Sequence, residues 1–445
     1  MSSTKRPLDN PEAERPTKKG KYAVESLASG IVWHAHDGNI EMLESLIDEA
    51  TPGQIDCVAL AAAVAGKVNV LRWLAKRGYR FTQACAEAAI NGGCLAALRF
   101  LYSVEAPFTP HLMKLAVKYG HIVMVQFLHE CSIMMLPNLI TVGAKFGRLE
   151  IIKYLLQSGA PRSPSAAEKA ASRGHLPCLQ YLLDAGWQKT SRIAEKAAKN
   201  NRPACFIYAV EAKCPLSSRV TYHLAAQGNL PLLKLAVSNG AIWDNCAISV
   251  AARQGHVAVM EFIFNAKAPI PYDLLDVAVA GGNIEVVKFV LDKMGIKESQ
   301  RSEGDAYDIC AVAAGSGHLE MLAYLVSERG FRCTKETAMA AARSGQMDCL
   351  KYVYQMVSPH LSKEDQCEVA AAASGDGQLA CLKYLRDRGC EWDDQTPIEA
   401  CETDGYDCLV YAIENGCPFD VKDCIMACEL GSDCYIYLSS LLSKK

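Results

Sequence analysis

The sequence lacks a long hydrophobic run, and this limits where the chain can reside. Its longest apolar stretch, from Val58 to Gly66, is far shorter than the roughly 20 apolar residues that cross a bilayer as a helix. The N-terminus is polar and charged, unlike a secretory signal peptide. We therefore expect a soluble protein of the nucleus, the cytoplasm or both, with no membrane as partner.

The motifs of common enzymes and cofactor sites are also missing. Neither paired Cys-x-x-Cys motifs with zinc spacing nor a phosphate-binding loop occurs, and the glycine pattern of dinucleotide-binding folds is absent. The ten histidines have no nucleophile or carboxylate at a recurring distance. We predict that the chain is not an enzyme and that it has no catalytic residue, metal or cofactor.

What the sequence does contain is a repeat built around a turn. From Gly66 to Gly282, eight successive intervals between turn residues measure 27 residues each. Asn201 replaces glycine once, and asparagine tolerates the left-handed conformation better than most residues. The predicted turn positions are Gly38, Gly66, Gly93, Gly120, Gly147, Gly174, Asn201, Gly228, Gly255, Gly282, Gly317, Gly345, Gly377, Gly405 and Gly431.

Each repeat has the pattern of two helices joined by this turn. A short alanine-rich segment precedes the turn, as in residues 166–171, and apolar residues with helical spacing follow it, as in Leu149, Ile152 and Leu155. A further glycine, such as Gly159, stands where a helix ends. One such pair cannot bury its apolar face alone, so neighbouring pairs must stack.

Some of the twenty cysteines stand at a core position of the repeat. Four of them, Cys178, Cys205, Cys349 and Cys381, stand four residues after the turn, where other repeats have Val, Ile or Met. We expect these thiols to be buried, reduced and free of metal. An aromatic residue such as Tyr154 recurs seven residues after the turn, which favours packing between repeats over a ladder for stacking bases or peptides.

The second segment of the repeat, as in Gly174-His-Leu-Pro-Cys-Leu-Gln-Tyr-Leu-Leu-Asp-Ala-Gly186, resembles the second helix of an ankyrin repeat. The alanine pair before the turn is similar to the first helix of that family. The resemblance implies an all-α, helix-turn-helix repeat solenoid of about 15 repeats, stacked into a curved, elongated array. We expect residues 23–445 to form this ankyrin-like array and residues 1–22 to form a disordered basic tail.

The repeat also departs from the ankyrin pattern. The usual Thr-Pro-Leu-His opening of the first helix is missing, and the unit is about six residues shorter than the 33 of the family. We infer short or absent β-turn fingers, as in the expanded ankyrin families of protists and large DNA viruses that the array resembles. Two longer linkers, at residues 294–308 and 356–365, have room for a finger or a protruding loop.

Charge is unevenly distributed, although the net charge is only −3. Residues 110–215 contain fourteen Lys and Arg against six Asp and Glu, a net of +8, whereas residues 376–445 contain six against fourteen, a net of −8. Cations recur one or two residues before the turn, at Lys118, Lys145, Arg173, Lys199 and Arg253, and Arg343 continues the series. They are candidates for binding an acidic partner near the concave face. Cations at helix C-termini also suit the helix dipole.

The tail contains two basic clusters. An eleven-residue spacer separates the first from the second, which resembles a bipartite nuclear import signal, although such clusters also arise by chance in solvated tails. The residues of this candidate signal are Lys5, Arg6, Lys18, Lys19 and Lys21.

The ankyrin resemblance implies a monomeric, non-catalytic scaffold or adaptor that binds other proteins on its concave face. Two alternatives stay open. The basic region of residues 110–215 could bind nucleic acid, or the chain could be a substrate adaptor for a ubiquitin ligase. The last requires a recruitment module, for which the sequence shows no room.

Overall fold

The computed structural model of the chain describes residues 30–295 and 308–442. All regular structure in these residues is helical, and they contain no strand. Their thirty α-helices form fifteen consecutive pairs. The predicted all-α class and the predicted number of repeats are therefore confirmed. We number the pairs as repeats 1 to 15.

The chain divides into two compact units, residues 1–215 and 216–445. The helices of the first unit are α1 (Gly30–Asp37), α2 (Ile40–Leu46), α3 (Pro52–Val64), α4 (Val68–Lys76), α5 (Gln83–Asn91), α6 (Leu95–Ser103), α7 (Pro110–Tyr119), α8 (Ile122–Glu130), α9 (Leu139–Lys145), α10 (Leu149–Gln157), α11 (Ala166–Arg173), α12 (Leu176–Asp184), α13 (Ser191–Lys199) and α14 (Pro203–Glu211). A 3-10 helix, Ile47–Glu49, follows α2.

The second unit contains repeats 8 to 15. Its helices are α15 (Ser218–Ala226), α16 (Leu230–Ser238), α17 (Ala247–Arg253), α18 (Val257–Asn265), α19 (Leu274–Ala280), α20 (Ile284–Met294), α21 (Ile309–Gly315), α22 (Leu319–Ser327), α23 (Lys335–Arg343), α24 (Met347–Val357), α25 (Lys363–Gly375), α26 (Leu379–Asp387), α27 (Gln395–Glu402), α28 (Tyr406–Glu414), α29 (Val421–Ala427) and α30 (Asp433–Leu442). In both units each odd-numbered helix is the first of its repeat and packs on the first helix of the neighbouring repeat.

The turn between the two helices is built as its glycine predicts. In repeat 6, α11 ends at Gly174, whose φ is +84°. The next backbone amide, that of His175, donates to the carbonyl of Ala170 at 3.0 Å, which closes the last turn of the helix. A residue other than glycine is strained in this left-handed conformation, so glycine recurs here. Asn201 adopts it as predicted, with φ +52°.

The turn of repeat 14 differs from the prediction by one residue. Asp404 is the left-handed residue, with φ +58°, and Gly405 instead stands at the N-cap of α28 with φ −75°. Aspartate tolerates this conformation better than most residues. Its carboxylate also accepts a hydrogen bond from the backbone amide of Cys434 at 3.0 Å.

The core runs along the faces that the repeat pattern predicts. In α12, Cys178, Leu179 and Leu182 are buried, and in α11 the alanines Ala170 and Ala171 are buried against neighbouring helices. Small alanine side chains let the first helices approach closely, whereas larger side chains fill the layer of second helices. Burial of apolar area on this scale is the main force that holds one repeat on the next.

The recurring aromatic residues pack between repeats, as predicted. The hydroxyl of Tyr154 lies 2.8 Å from Nδ1 of His129 in the preceding repeat, and Phe289 contacts Phe264 edge to face at 5.4 Å between ring centroids. Phe127 and Tyr324 are buried. Because these rings are buried or contact a neighbouring repeat, they are not free to stack on the bases or side chains of a ligand.

The linker at residues 356–365 forms no finger. Helix α24 continues to Val357, and a 3-10 helix covers Ser358–His360. Ser362 then caps α25, with its Oγ accepting a hydrogen bond from the amide of Asp365 at 3.1 Å. The extra residues therefore lengthen helices instead of projecting from them. Residues 296–307 of the other long linker lie outside the described residues, as do the predicted tail and its import signal.

Candidate functional site

The candidate surface lies at the C-terminal ends of the first helices. Five of the predicted cations occupy the last turn of such a helix: Lys118 of α7, Lys145 of α9, Arg173 of α11 and Lys199 of α13 in the first unit, and Arg253 of α17 in the second. Lys118 is half-buried, and the other four are exposed. This is the position where the partial negative charge of the helix end stabilises a cation.

The four cations of the first unit do not share one repeat position. Lys118, Lys145 and Lys199 stand two residues before their turn, whereas Arg173 stands one residue before Gly174. Ser172 therefore occupies the shared position in repeat 6. The series therefore occupies two neighbouring repeat positions, one and two residues before the turn.

Two of the lysines lie beside aromatic rings. Nζ of Lys118 lies 4.9 Å from the ring centroid of Tyr119, and Nζ of Lys145 lies 5.2 Å from that of Phe146. An ammonium over a ring face gains about 0.5–1 kcal/mol at an exposed site. The rings therefore hold both charges close to the helix ends.

Carboxylates neutralise part of the predicted series but not all of it. Arg343 pairs with Asp376 of the next repeat, with 3.5 Å between Nε and Oδ2. Among the residues that the structure describes, no ion pair joins Lys118, Lys145, Arg173 or Arg253 to a carboxylate. These four side chains, of which Lys118 is half-buried and the others are exposed, have no counter-charge in direct contact.

The backbone carbonyls at these helix ends are bonded by the next repeat. His175, at the residue after its turn, places Nε2 3.1 Å from the carbonyl oxygen of Lys145, and Arg148 donates from Nε to that of Lys118 at 3.3 Å. In the second unit, His256 and His318 make the same contact with Ala226 and Ala280. These histidines connect repeats, which agrees with the structural role that their spacing indicates.

A pocket on repeats 6 and 7 adjoins this surface, and the sequence analysis missed it. Its volume is about 210 Å³. The pocket is lined by Glu168, Lys169, Ser172, Lys196, Lys199 and Asn200. Lys169 and Lys196 both stand five residues before their turn, so a search of that repeat position for charges would have found them.

The cysteines are placed as the repeat predicts. Cys178, Cys205, Cys349 and Cys381 are each 1 % exposed. Burial raises the pKa of Cys178 and of Cys205 to about 11, so both thiols are protonated at neutral pH and are poor nucleophiles. In the described part of the chain, no three or more His, Cys, Asp or Glu side chains are arranged to hold a metal ion. That these thiols bind no metal stays a prediction.

Comparison with known proteins points to one family. Residues 140–183 match the sequence model of the family described as ankyrin repeats in many copies. No curated protein matches the chain. The described helices include none that is both long and apolar enough to cross a membrane.

Solved structures of two repeat families are similar to this chain. The human ASB11 ankyrin repeat domain is 18% identical, with 41% of this chain and 95% of that chain covered and a TM-score of 0.34. The maize pentatricopeptide repeat protein PPR10 is 11% identical, with 95% of this chain and 80% of that chain covered and a TM-score of 0.34. A second structure, of PPR10 in complex with an 18-nt psaJ RNA element, is 10% identical, with 93% of this chain and 79% of that chain covered and a TM-score of 0.26.

The matched segment runs from the first helix of repeat 5 to the second helix of repeat 6. Its glycine turn and helical pair recur through the described residues of both units. This chain therefore matches the ankyrin repeat family over residues 140–183, and its other described repeats have the same helix-turn-helix form.

Proposed function

We propose that this chain is a monomeric, non-catalytic scaffold or adaptor, nuclear, cytoplasmic or both, that binds proteins with an acidic surface. In the first unit the partner contacts Lys118, Lys145, Arg173 and Lys199 at the ends of the first helices, and in the second unit Arg253 offers the same contact. The observation that carries the proposal is that, within the described residues, no carboxylate contacts Lys118, Lys145, Arg173 or Arg253.

The rigidity of stacked helices supports this function. The cations of α7, α9 and α11 stand on helices that are packed on one another, so their relative positions are set before a partner arrives. Binding then restricts the motion of the partner but reduces the conformational freedom of the array only slightly. Opposite charge on the partner would speed encounter and select against basic proteins.

The proposal is tested by reversing three charges: Lys118→Glu, Lys145→Glu and Arg173→Glu. Exposed charge changes cost little stability, within about 0.5 kcal/mol each, so the variant should melt close to the parent chain. We expect it to lose proteins that the parent captures from a cell extract, and to bind the identified partner with a weaker salt dependence. Quantitative mass spectrometry of the captured proteins measures the loss.

The matched control reverses three exposed lysines elsewhere in the first unit: Lys76→Glu, Lys189→Glu and Lys213→Glu. It changes the net charge by the same amount and should retain the partners. If both triple variants retain the same proteins, or both lose them, the ends of the first helices are not the binding surface.

Nucleic acid is the second candidate ligand. The rings of Tyr119 and Phe146 beside Lys118 and Lys145 favour it, because bases stack on aromatic side chains next to cations. Such binding would fall steeply with salt, since each neutralised phosphate releases a counterion. Titration of a single-stranded RNA at two salt concentrations, with parent chain and triple variant, decides between the two ligands.

A further inference from the structure

The pocket on repeats 6 and 7 has the donors of an anion site. Lys169 and Lys196 come from neighbouring first helices, and Lys199 lies one turn beyond Lys196 on α13. The side-chain amide of Asn200 donates to Oγ of Ser172 at 3.3 Å, which joins the two repeats at the pocket. Three ammonium groups, one hydroxyl and one amide therefore surround a space of about 210 Å³.

Glu168 is the one carboxylate on the lining, and it is engaged elsewhere. Its Oε1 accepts a hydrogen bond from Oγ1 of Thr190 at 3.2 Å. Among the described residues, no ion pair joins Lys169 or Lys196 to an acidic side chain. The pocket lining thus has three positive charges against one negative charge, a balance that favours an anion.

The positive charge at this position does not continue into the two preceding repeats. The residues that correspond to Lys169 and Lys196 in repeats 4 and 5 are Leu115 and Val142, which are apolar. A nucleic-acid backbone presents evenly spaced phosphates and is followed by a continuous series of cations. A pair of lysines with no continuation in the preceding repeats instead fits one compact group of high charge.

We propose that this pocket binds a phosphorylated serine or threonine within an acidic segment of a partner protein. A phosphoryl group carries about two negative charges and three acceptor oxygens, enough to meet several lysines at once, whereas a carboxylate carries one charge. The inference rests on the proposed function, because it assigns a partner chemistry to the same surface. Phosphorylation of the partner then controls its binding.

Three labelled peptides test the pocket by fluorescence anisotropy. Each has three glutamates on either side of a central residue, which is phosphoserine, serine or glutamate. We expect the full chain to bind the phosphoserine peptide at least about tenfold more tightly than the serine peptide. The affinity for the glutamate peptide should be much closer to that for the serine peptide. The variant Lys169→Gln/Lys196→Gln should reduce this preference to less than about threefold.

The control variant Lys76→Gln/Lys189→Gln removes the same charge outside the pocket and should keep the preference. Circular dichroism checks that both variants melt like the parent chain. Equal affinity of the parent for all three peptides would overturn the proposal, as would a phosphate preference that survives the loss of Lys169 and Lys196. Tighter binding of a single-stranded RNA than of the phosphoserine peptide, with loss in the same variant, would reassign the pocket to nucleic acid.

The experiments distinguish a failure of the pocket proposal from a failure of the proposed scaffold function. If the peptides show no phosphate preference but the triple reversal of Lys118, Lys145 and Arg173 still loses partners, the proposed function stands and the pocket proposal fails. If the triple reversal loses nothing while the peptides behave as expected, the pocket binds phosphate and the wider surface has no role in binding.

Discussion

Gly147 meets two separate demands at the turn of repeat 5. Its φ is +70°, a conformation in which a side chain costs roughly 1–2 kcal/mol. A methyl group there would also lie 2.7 Å from Nδ1 of His175, which reaches over the turn from the next repeat. Glycine is therefore required both by the local backbone and by the contact between repeats.

Gly147→Ala and Gly159→Ala should differ in stability for this reason. Gly159 has φ +77°, but a methyl group there would meet no atom within 4 Å. We expect Gly159→Ala to cost only the conformational strain, roughly 1 kcal/mol, and Gly147→Ala to cost clearly more. Urea unfolding followed by circular dichroism measures both.

His175→Ala provides the internal check on that prediction. It removes the ring that the new methyl group would strike, so the double variant Gly147→Ala/His175→Ala should be less unstable than the sum of the two single changes. Strict additivity would mean that the ring moves aside without cost and that only the backbone conformation selects glycine.

At the scale of the helix, α10 shows how a short amphipathic segment is stabilised. Ile151, Ile152 and Leu155 are buried, whereas the adjacent Leu156 is partly exposed. A helix of nine residues is marginal by itself in water, so its stability comes from the buried face. Neighbouring leucines on one helix therefore contribute very different amounts to folding.

We expect Leu155→Ala to destabilise the first unit by about 2–5 kcal/mol, because it leaves a cavity in a close-packed layer. Leu156→Ala makes the same chemical change on the same helix and should cost about 1 kcal/mol or less. Equilibrium unfolding in urea compares the two variants. Equal losses would show that the two leucines are buried alike in solution.

At the scale of the whole molecule, charge separates along the chain. The region of residues 110–215 has a net charge of +8, and that of residues 376–445 has −8, so the overall value of −3 hides both. In the second unit Arg343 pairs with Asp376, and Lys335 contacts Asp365 at 2.8 Å and Glu368 at 3.0 Å. An acidic ligand is therefore expected on the first unit.

The candidate import signal is also tested at this scale. At 48.3 kDa the chain is large for passive entry into the nucleus, so a working signal should decide its distribution. Changing Lys5, Arg6, Lys18, Lys19 and Lys21 to alanine should move a fluorescently tagged protein towards the cytoplasm. An unchanged nuclear share in the variant would argue against these residues as the signal.

The helices and most turns could be predicted because they depend on residues that are close in the chain. The glycine period gave fifteen turns, and the spacing of Ile152 and Leu155 gave the buried face of α10. The exception at repeat 14 follows the period and not the residue type: Asp404, and not Gly405, stands 27 residues after Gly377 and 27 residues before Gly431.

Contacts between repeats were decided by the tertiary structure. Lys169 and Lys196 are 27 residues apart in the sequence and meet at one pocket because their helices stack. The same stacking gave Arg343 its partner Asp376, whereas no carboxylate of the described residues contacts Lys118 or Lys145. The sequence by itself determined which segments are helices and where they turn. The packing of buried faces, which joins residues far apart in the chain, determined which charges are neutralised by a neighbouring repeat.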